Sequence, residues 1–123
     1  MPPIVLSGST LTGDDIVNTA GDKLGTLKEI MIDFEPGKVA YGVLARGGVA
    51  GIGEKLFAVP WSLFRVDPDR HELVLDLDEE VFDDSPGFDP DNWPQFSDLE
   101  WGADVHQRFG VDPYWADLPT DSV

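Results

Sequence analysis

Residues 23–45 read KLGTLKEIMIDFEPGKVAYGVLA, the pattern of two β-strands joined by a tight turn. For most of the first part, apolar side chains share one parity and charged side chains share the other, which is typical of a half-buried strand. The apolar set is Leu24, Ile30, Ile32 and Phe34. Pro36 and Gly37 suit the two central positions of a turn, and a second apolar run follows at residues 39–45. The segment therefore predicts a β-hairpin.

More short strands are predicted on the C-terminal side of this hairpin. Residues 47–53 hold four glycines and predict a loop, and residues 56–61 predict a strand that ends at Pro60. Residues 64–67 and 72–75 flank a turn and predict a second hairpin. Five or six short strands with frequent turns indicate a mostly β protein, built as a small antiparallel barrel or sandwich.

The pattern changes after Leu77, where a short helical, aromatic-rich extension is predicted. One or two helical turns are expected at residues 78–84, and irregular chain at residues 88–96 because of its prolines. Ser97 is the predicted N-cap of a helix that runs to Phe109, with Gly110 as its C-cap. We therefore divide the chain into a β domain at residues 1–80 and an acidic extension at residues 81–123.

Charge is divided unequally between the two halves of the chain. Residues 1–66 hold seven acidic and six basic side chains, whereas residues 67–123 hold seventeen acidic and two basic ones. An acidic half of this kind repels phosphate, so direct nucleic-acid binding is not expected. Adaptation to high salt is an alternative reason for the acid. There is no cysteine, secretory signal or apolar run that could span a membrane, so we expect a cytoplasmic protein.

Four pieces of the first segment, taken in order, resemble the PRC-barrel domain family. They are Gly21–Gly25, Asp33, Gly37–Tyr41 and the most specific piece, Gly53–Trp61. The resemblance covers about residues 8–80. The resemblance implies a small, strongly bent antiparallel β-barrel. It also implies that the protein is not an enzyme and acts as an adaptor. Members of the family include the photosynthetic reaction centre H subunit, which has a membrane helix, and the ribosome-maturation factor, which has a second domain. Because neither feature is seen here, we expect neither role to transfer directly.

The sequence offers little evidence for catalysis, and we expect no catalytic residue, cofactor or metal ligand. The glycines before Lys55 lack the hydroxyl residue that a phosphate-binding loop requires, and Glu54 would stand beside the phosphate. His71 and His106 are the only histidines, and neither has a metal-binding partner in sequence. The acidic residues between Asp83 and Asp91 leave an ion site as an alternative.

Aromatic residues are concentrated in the extension, which holds eight of the thirteen in the chain. The candidates for a partner interface are Trp93, Phe96, Trp101, Tyr114 and Trp115. Interleaved with acids and prolines, these residues cannot form a core by themselves and need an apolar surface to cover. That surface is either the barrel of the same chain or a second subunit.

Three functions remain open on these grounds. The first is a non-enzymatic assembly adaptor, expected to be a homodimer with a further protein partner, and linked by the family resemblance to electron-transfer or photosynthetic complexes. The second is a factor associated with ribosome assembly or RNA processing. The third is a small ion- or ligand-binding protein.

Overall fold

The computed structural model describes residues 2–48 and 53–117, and within these ranges the protein is mostly β. The strands in the described ranges are β1 (Asp15–Val17), β2 (Lys23–Asp33), β3 (Lys38–Arg46), β4 (Lys55–Pro60), β5 (Phe64–Asp67) and β6 (Glu72–Leu75). The α-helices are α1 (Gly8–Leu11), α2 (Glu80–Asp83) and α3 (Leu99–Phe109), and short 3-10 turns cover Trp61–Leu63 and Tyr114–Asp117. No helix within the described ranges has the length and apolarity needed to cross a membrane.

The strands form one sheet in the order β4-β3-β2-β1-β6-β5. Four of the pairs are antiparallel, but β1 and β6 are parallel, so the prediction of a purely antiparallel sheet is wrong at this pair. Parallel strands need a long crossover, and here strands β2 to β5 supply it. In the described part of the chain, no ladder joins the edge strands β4 and β5, so hydrogen bonds do not close the sheet into a barrel.

The predicted hairpin is confirmed as the pair β2–β3, with Gly37 at a φ of 65° in its turn. The predicted apolar face of β2 is wrong at its far end. Irregularities between Leu27 and Glu29 and between Met31 and Ile32 break the alternation. A bulge changes which side chains face the core because one strand gains a residue relative to its partner.

Two large apolar side chains at the hairpin end face solvent. Ile32 is 62% exposed and Phe34 is 91% exposed. Strict alternation placed both of them on the same buried face as Leu24.

Two glycines of the sheet lie where other atoms approach the backbone closely. A Cβ atom on Gly25 would overlap the carbonyl oxygen of Ala45 on β3. A Cβ on Gly42 would lie 2.7 Å from the ring of Phe64, although Phe64 belongs to the edge strand β5 on the far side of the sheet order. Glycine permits such close backbone approaches. Gly25 therefore allows the close approach of β3.

Replacing Gly25 by Ala is expected to lower the free energy of unfolding by about 1–3 kcal/mol, because the methyl group meets backbone that cannot turn aside. Chemical denaturation measures the change. Gly8→Ala is the matched control, since its Cβ would meet only Ile30 Cδ1 at an ordinary 3.8 Å. Equal stability of the Gly25→Ala variant and the wild type would contradict the close approach.

The extension follows the predicted order of elements, with one correction. Helix α3 is capped by Asp98, whose carboxylate accepts hydrogen bonds from the amides of Glu100 and Trp101, and not by Ser97. Gly110 ends the helix with a φ of 73°, as predicted. Phe88 in the irregular segment pairs with Leu56 on the edge of β4. Residues 49–52 of the predicted glycine loop and residues 118–123 lie outside the described residues.

Candidate functional site

The aromatic residues of the extension pack around Tyr41 on strand β3. Tyr41 is 1% exposed, and four rings of the extension surround it at centroid distances of 5.4–5.9 Å. These rings are Phe96, Trp101, His106 and Tyr114. Their tilted and edge-to-face arrangements are those that aromatic quadrupoles favour. The extension therefore covers β3 of its own chain.

Helix α3 approaches Tyr41 closely because it carries glycine at position 102. A Cβ on Gly102 would lie 2.8 Å from Tyr41 Oη and 2.9 Å from the Trp115 ring. Gly102 is itself buried. Glycine in a helix interior is about 1 kcal/mol less favourable than alanine. The close contact with Tyr41 therefore outweighs the low helix propensity of glycine at this position.

His106 is a structural residue that joins helix α3 to the following turn. It is 1% exposed, its Nδ1 lies 2.7 Å from the carbonyl oxygen of Gly102, and its Nε2 accepts a hydrogen bond of 3.2 Å from the amide of Tyr114. This pattern assigns the hydrogen to Nδ1 and leaves the ring neutral. Both ring nitrogens are used within the protein, and the ring positions Tyr114. The other histidine, His71, is exposed in a turn.

Asp33 and Tyr114 form a hydrogen bond between the end of β2 and the end of the extension. Tyr114 Oη donates to Asp33 Oδ2 over 2.6 Å. Burial, this hydrogen bond and the charge of Asp33 raise the pKa of Tyr114 above its ordinary value. Burial and, to a smaller degree, the charge of Asp33 raise the pKa of Tyr41 to about 12. Both phenols therefore stay neutral at physiological pH.

These residues line a pocket of about 410 Å³, which we call the Asp33 pocket. Its walls are aromatic and come from Tyr41, Phe96, Tyr114 and Trp115. Ile32, Phe34 and Leu99 also line it, and all three are exposed. Asp33 is the one charged residue in the described lining.

A second, apolar groove of about 500 Å³ lies beside the Asp33 pocket and shares Ile32 with it. We call the exposed apolar residues that border the two grooves the apolar strip. The strip consists of Ile4, Leu6, Ile32, Phe34 and Leu99. Soluble proteins rarely expose large connected apolar surfaces unless these serve in binding.

The five predicted interface residues separate into three groups. Phe96, Tyr114 and Trp115 come together in the Asp33 pocket. Trp101 packs behind them, 4.8 Å from Phe96 by ring centroids. Trp93 packs against Phe88 and Phe96 at centroid distances of 5.2 and 6.1 Å but does not line the pocket. It remains 38% exposed, and its indole donates to the Pro90 carbonyl oxygen. Contact of these five residues with a partner stays a prediction.

Two of the acidic residues between Asp83 and Asp91 are used in ion pairs that connect the extension to the sheet. Asp83 lies 3.1 Å from Arg46 of β3, and Asp89 lies 3.0 Å from Lys55 of β4. Within residues 2–48 and 53–117, no group of three or more histidine or acidic side chains stands close enough to hold a metal ion. The ion-site alternative at residues 83–91 therefore has no support in the structure.

Sequence reasoning missed Asp33, Tyr41 and the apolar strip as site residues. Asp33 and Tyr41 belong to an ordinary hairpin pattern, and the partner of Asp33 lies 81 residues away in sequence. No local signal identifies such a pair. The missed signal for Phe34 is its place beside the turn, where a strand leaves the sheet and an apolar side chain loses its cover.

The six-stranded mixed sheet, with glycines at its close approaches, defines a small, mostly β domain. The family model of the PRC-barrel domain matches residues 3–82, and the chain belongs to this family. A similar solved structure is a putative 16S ribosomal RNA processing protein, RimM, from Pseudomonas aeruginosa, with 16% identity and a TM-score of 0.40. The match covers 61% of this chain and 45% of RimM, so the chain spans less than half of that protein. No curated protein matches the chain.

Proposed function

We propose that this protein is a non-enzymatic assembly adaptor that binds a protein partner through the apolar strip. The observation that carries the proposal is the exposure of Phe34, which is 91% exposed at the end of the β2–β3 hairpin. Ile32 and Leu99 beside it are 62% and 63% exposed. A large aromatic side chain in such a setting gains apolar burial only when another molecule covers it.

The charge of the chain favours a basic partner over a second copy at low salt. The net charge is −16, so two copies repel each other, and a basic surface is attracted. We therefore expect the homodimer to form only at salt concentrations that screen this repulsion. We propose a cytoplasmic adaptor with a basic protein partner and with self-association through the same strip at raised salt.

Site-specific photo-cross-linking tests the proposal. A photoreactive residue at position 34, introduced in the producing cell, is expected to give one or a few discrete cross-linked products. The same residue at the exposed turn position Asp69 is the control and is expected to give none. A product of twice the chain mass identifies the homodimer. The absence of a discrete product at position 34, or equal products at both positions, would contradict the adaptor proposal.

The identity of the product also separates the narrower alternatives. A subunit of a photosynthetic or electron-transfer complex supports the role that resembles the reaction centre H subunit. A ribosomal protein supports the alternative of a ribosome-assembly factor, which the acidic second half permits only through protein contacts. Cross-linking directly to RNA would contradict both forms of the proposal.

A further inference from the structure

We propose that the Asp33 pocket binds a small organic cation that carries an alkylammonium or guanidinium group. The inference goes beyond the adaptor function, because it concerns a small-molecule ligand and not a protein partner. At about 410 Å³, the pocket falls in the size range of small-molecule sites.

The charge in the pocket determines which ligands it accepts. Asp33 is the one charged residue in the described lining, so the pocket attracts cations and repels anions. Lys38 is the cross-strand neighbour of Asp33, but it is exposed. Among the described residues, no ion pair joins Lys38 to Asp33. The carboxylate is therefore available to an outside cation.

The Asp33 carboxylate is held in place before a ligand arrives. Tyr114 Oη donates to Oδ2, and in the described part of the chain no side chain donates to Oδ1. A fixed acceptor loses little conformational entropy on binding, which favours affinity.

The walls of the pocket add a second attraction for the same class of ligand. Phe96, Tyr114 and Trp115 all line the pocket, and aromatic faces attract alkylammonium and guanidinium groups through their quadrupoles. A metal ion would need several oxygen ligands, and Asp33 is the one carboxylate in the described lining. Aromatic walls around one carboxylate therefore fit an organic cation better than an anion or a metal ion.

Isothermal titration of the full chain with choline, and separately with methylguanidinium, tests the inference. We expect saturable binding with a Kd of about 1 mM or tighter for at least one of them. The neutral analogue of choline, with carbon in place of nitrogen, should bind at least about tenfold more weakly, because it lacks the charge. Equal affinity for choline and its neutral analogue would show an apolar pocket and overturn the proposal, as would the absence of saturable binding.

Two matched variants locate the binding. Asp33→Asn keeps an oxygen that can accept from Tyr114 and is expected to weaken binding of the cation at least about tenfold. Glu35→Gln removes the same charge two residues away at an exposed position and is expected to change the Kd by less than about twofold. An equal loss in the two variants would indicate general attraction to an acidic protein and would overturn the assignment to Asp33.

A measurement on the unaltered protein covers the case in which Asp33→Asn does not fold. At a saturating concentration of whichever cation binds, nuclear Overhauser effects are expected between its N-methyl protons and ring protons of Tyr114 or Trp115. Their absence would overturn the proposal. Because cross-linking at position 34 detects a protein partner and not a small cation, failure to bind a cation leaves the adaptor proposal standing.

Discussion

Replacing Tyr41 by Ala is expected to lower the free energy of unfolding by about 3–5 kcal/mol, the usual cost of deleting a buried aromatic ring. Tyr41 is 1% exposed and contacts four rings of the extension, so the cavity opens at the junction of the two parts of the chain. Helix α3 should therefore lose its packing with the sheet. Denaturation followed by circular dichroism and by tryptophan fluorescence measures the change.

Two further variants distinguish the contribution of the Tyr41 ring to stability from that of its hydroxyl group and from that of aromatic side chains in general. Tyr41 Oη is buried without a hydrogen-bond partner among the described residues, so Tyr41→Phe is expected to maintain the stability or raise it by up to about 2 kcal/mol. Phe34→Ala removes an exposed ring from the same hairpin and should change the stability by less than about 0.5 kcal/mol. A large loss in Tyr41→Phe would reveal a hydrogen bond to that hydroxyl.

Neither tyrosine is expected to ionise near its ordinary pKa of 10.0 while the protein is folded. Burial raises the pKa of Tyr41 to about 12, and it also raises the pKa of Tyr114, together with the hydrogen bond to Asp33. A raised pKa means that the folded state retains a proton that the unfolded state has already released. The contribution of Tyr41 to the free energy of unfolding is therefore complete below about pH 10 and decreases as the pH rises from about 10 to 12.

Ultraviolet absorbance of tyrosinate checks this prediction directly, because the chain has two tyrosines and both belong to the site. Ionisation is expected to coincide with alkaline unfolding, as followed by near-ultraviolet circular dichroism. In Tyr41→Phe, the remaining signal from Tyr114 should still appear above pH 10. A midpoint near pH 10 with the tertiary signal intact would contradict the burial of both phenols and their contact with Asp33.

The acid that dominates the second half is partly neutralised inside the molecule. Asp83 and Asp89 pair with Arg46 and Lys55 of the sheet, so these two contacts attract the extension to the sheet. These pairs are largely exposed and each contributes at most about 1 kcal/mol. The aromatic packing around Tyr41 therefore accounts for more of the attachment of the extension than the ion pairs do.

Local sequence determined the elements whose signals lie within a few residues. The β2–β3 hairpin follows from the residues around Pro36 and Gly37, β4 ends at Pro60, and α3 ends at Gly110. Each signal acts through backbone conformation at one position, so it survives in any tertiary context. The N-cap is Asp98 and not the predicted Ser97, because neighbouring polar residues compete for the same amides.

Tertiary structure alone decided the following features. Strand β1 pairs in parallel with β6, and strand β2 is irregular. Ile32 and Phe34 are exposed, and Asp33 accepts a hydrogen bond from Tyr114. Each of these depends on contacts between segments far apart in sequence, and the energy of such contacts is absent from any local window. Composition predicted that the aromatic residues of the extension would need an apolar surface. Only the fold, with Gly102 opening a space beside Tyr41, determined that the surface is strand β3 of the same chain.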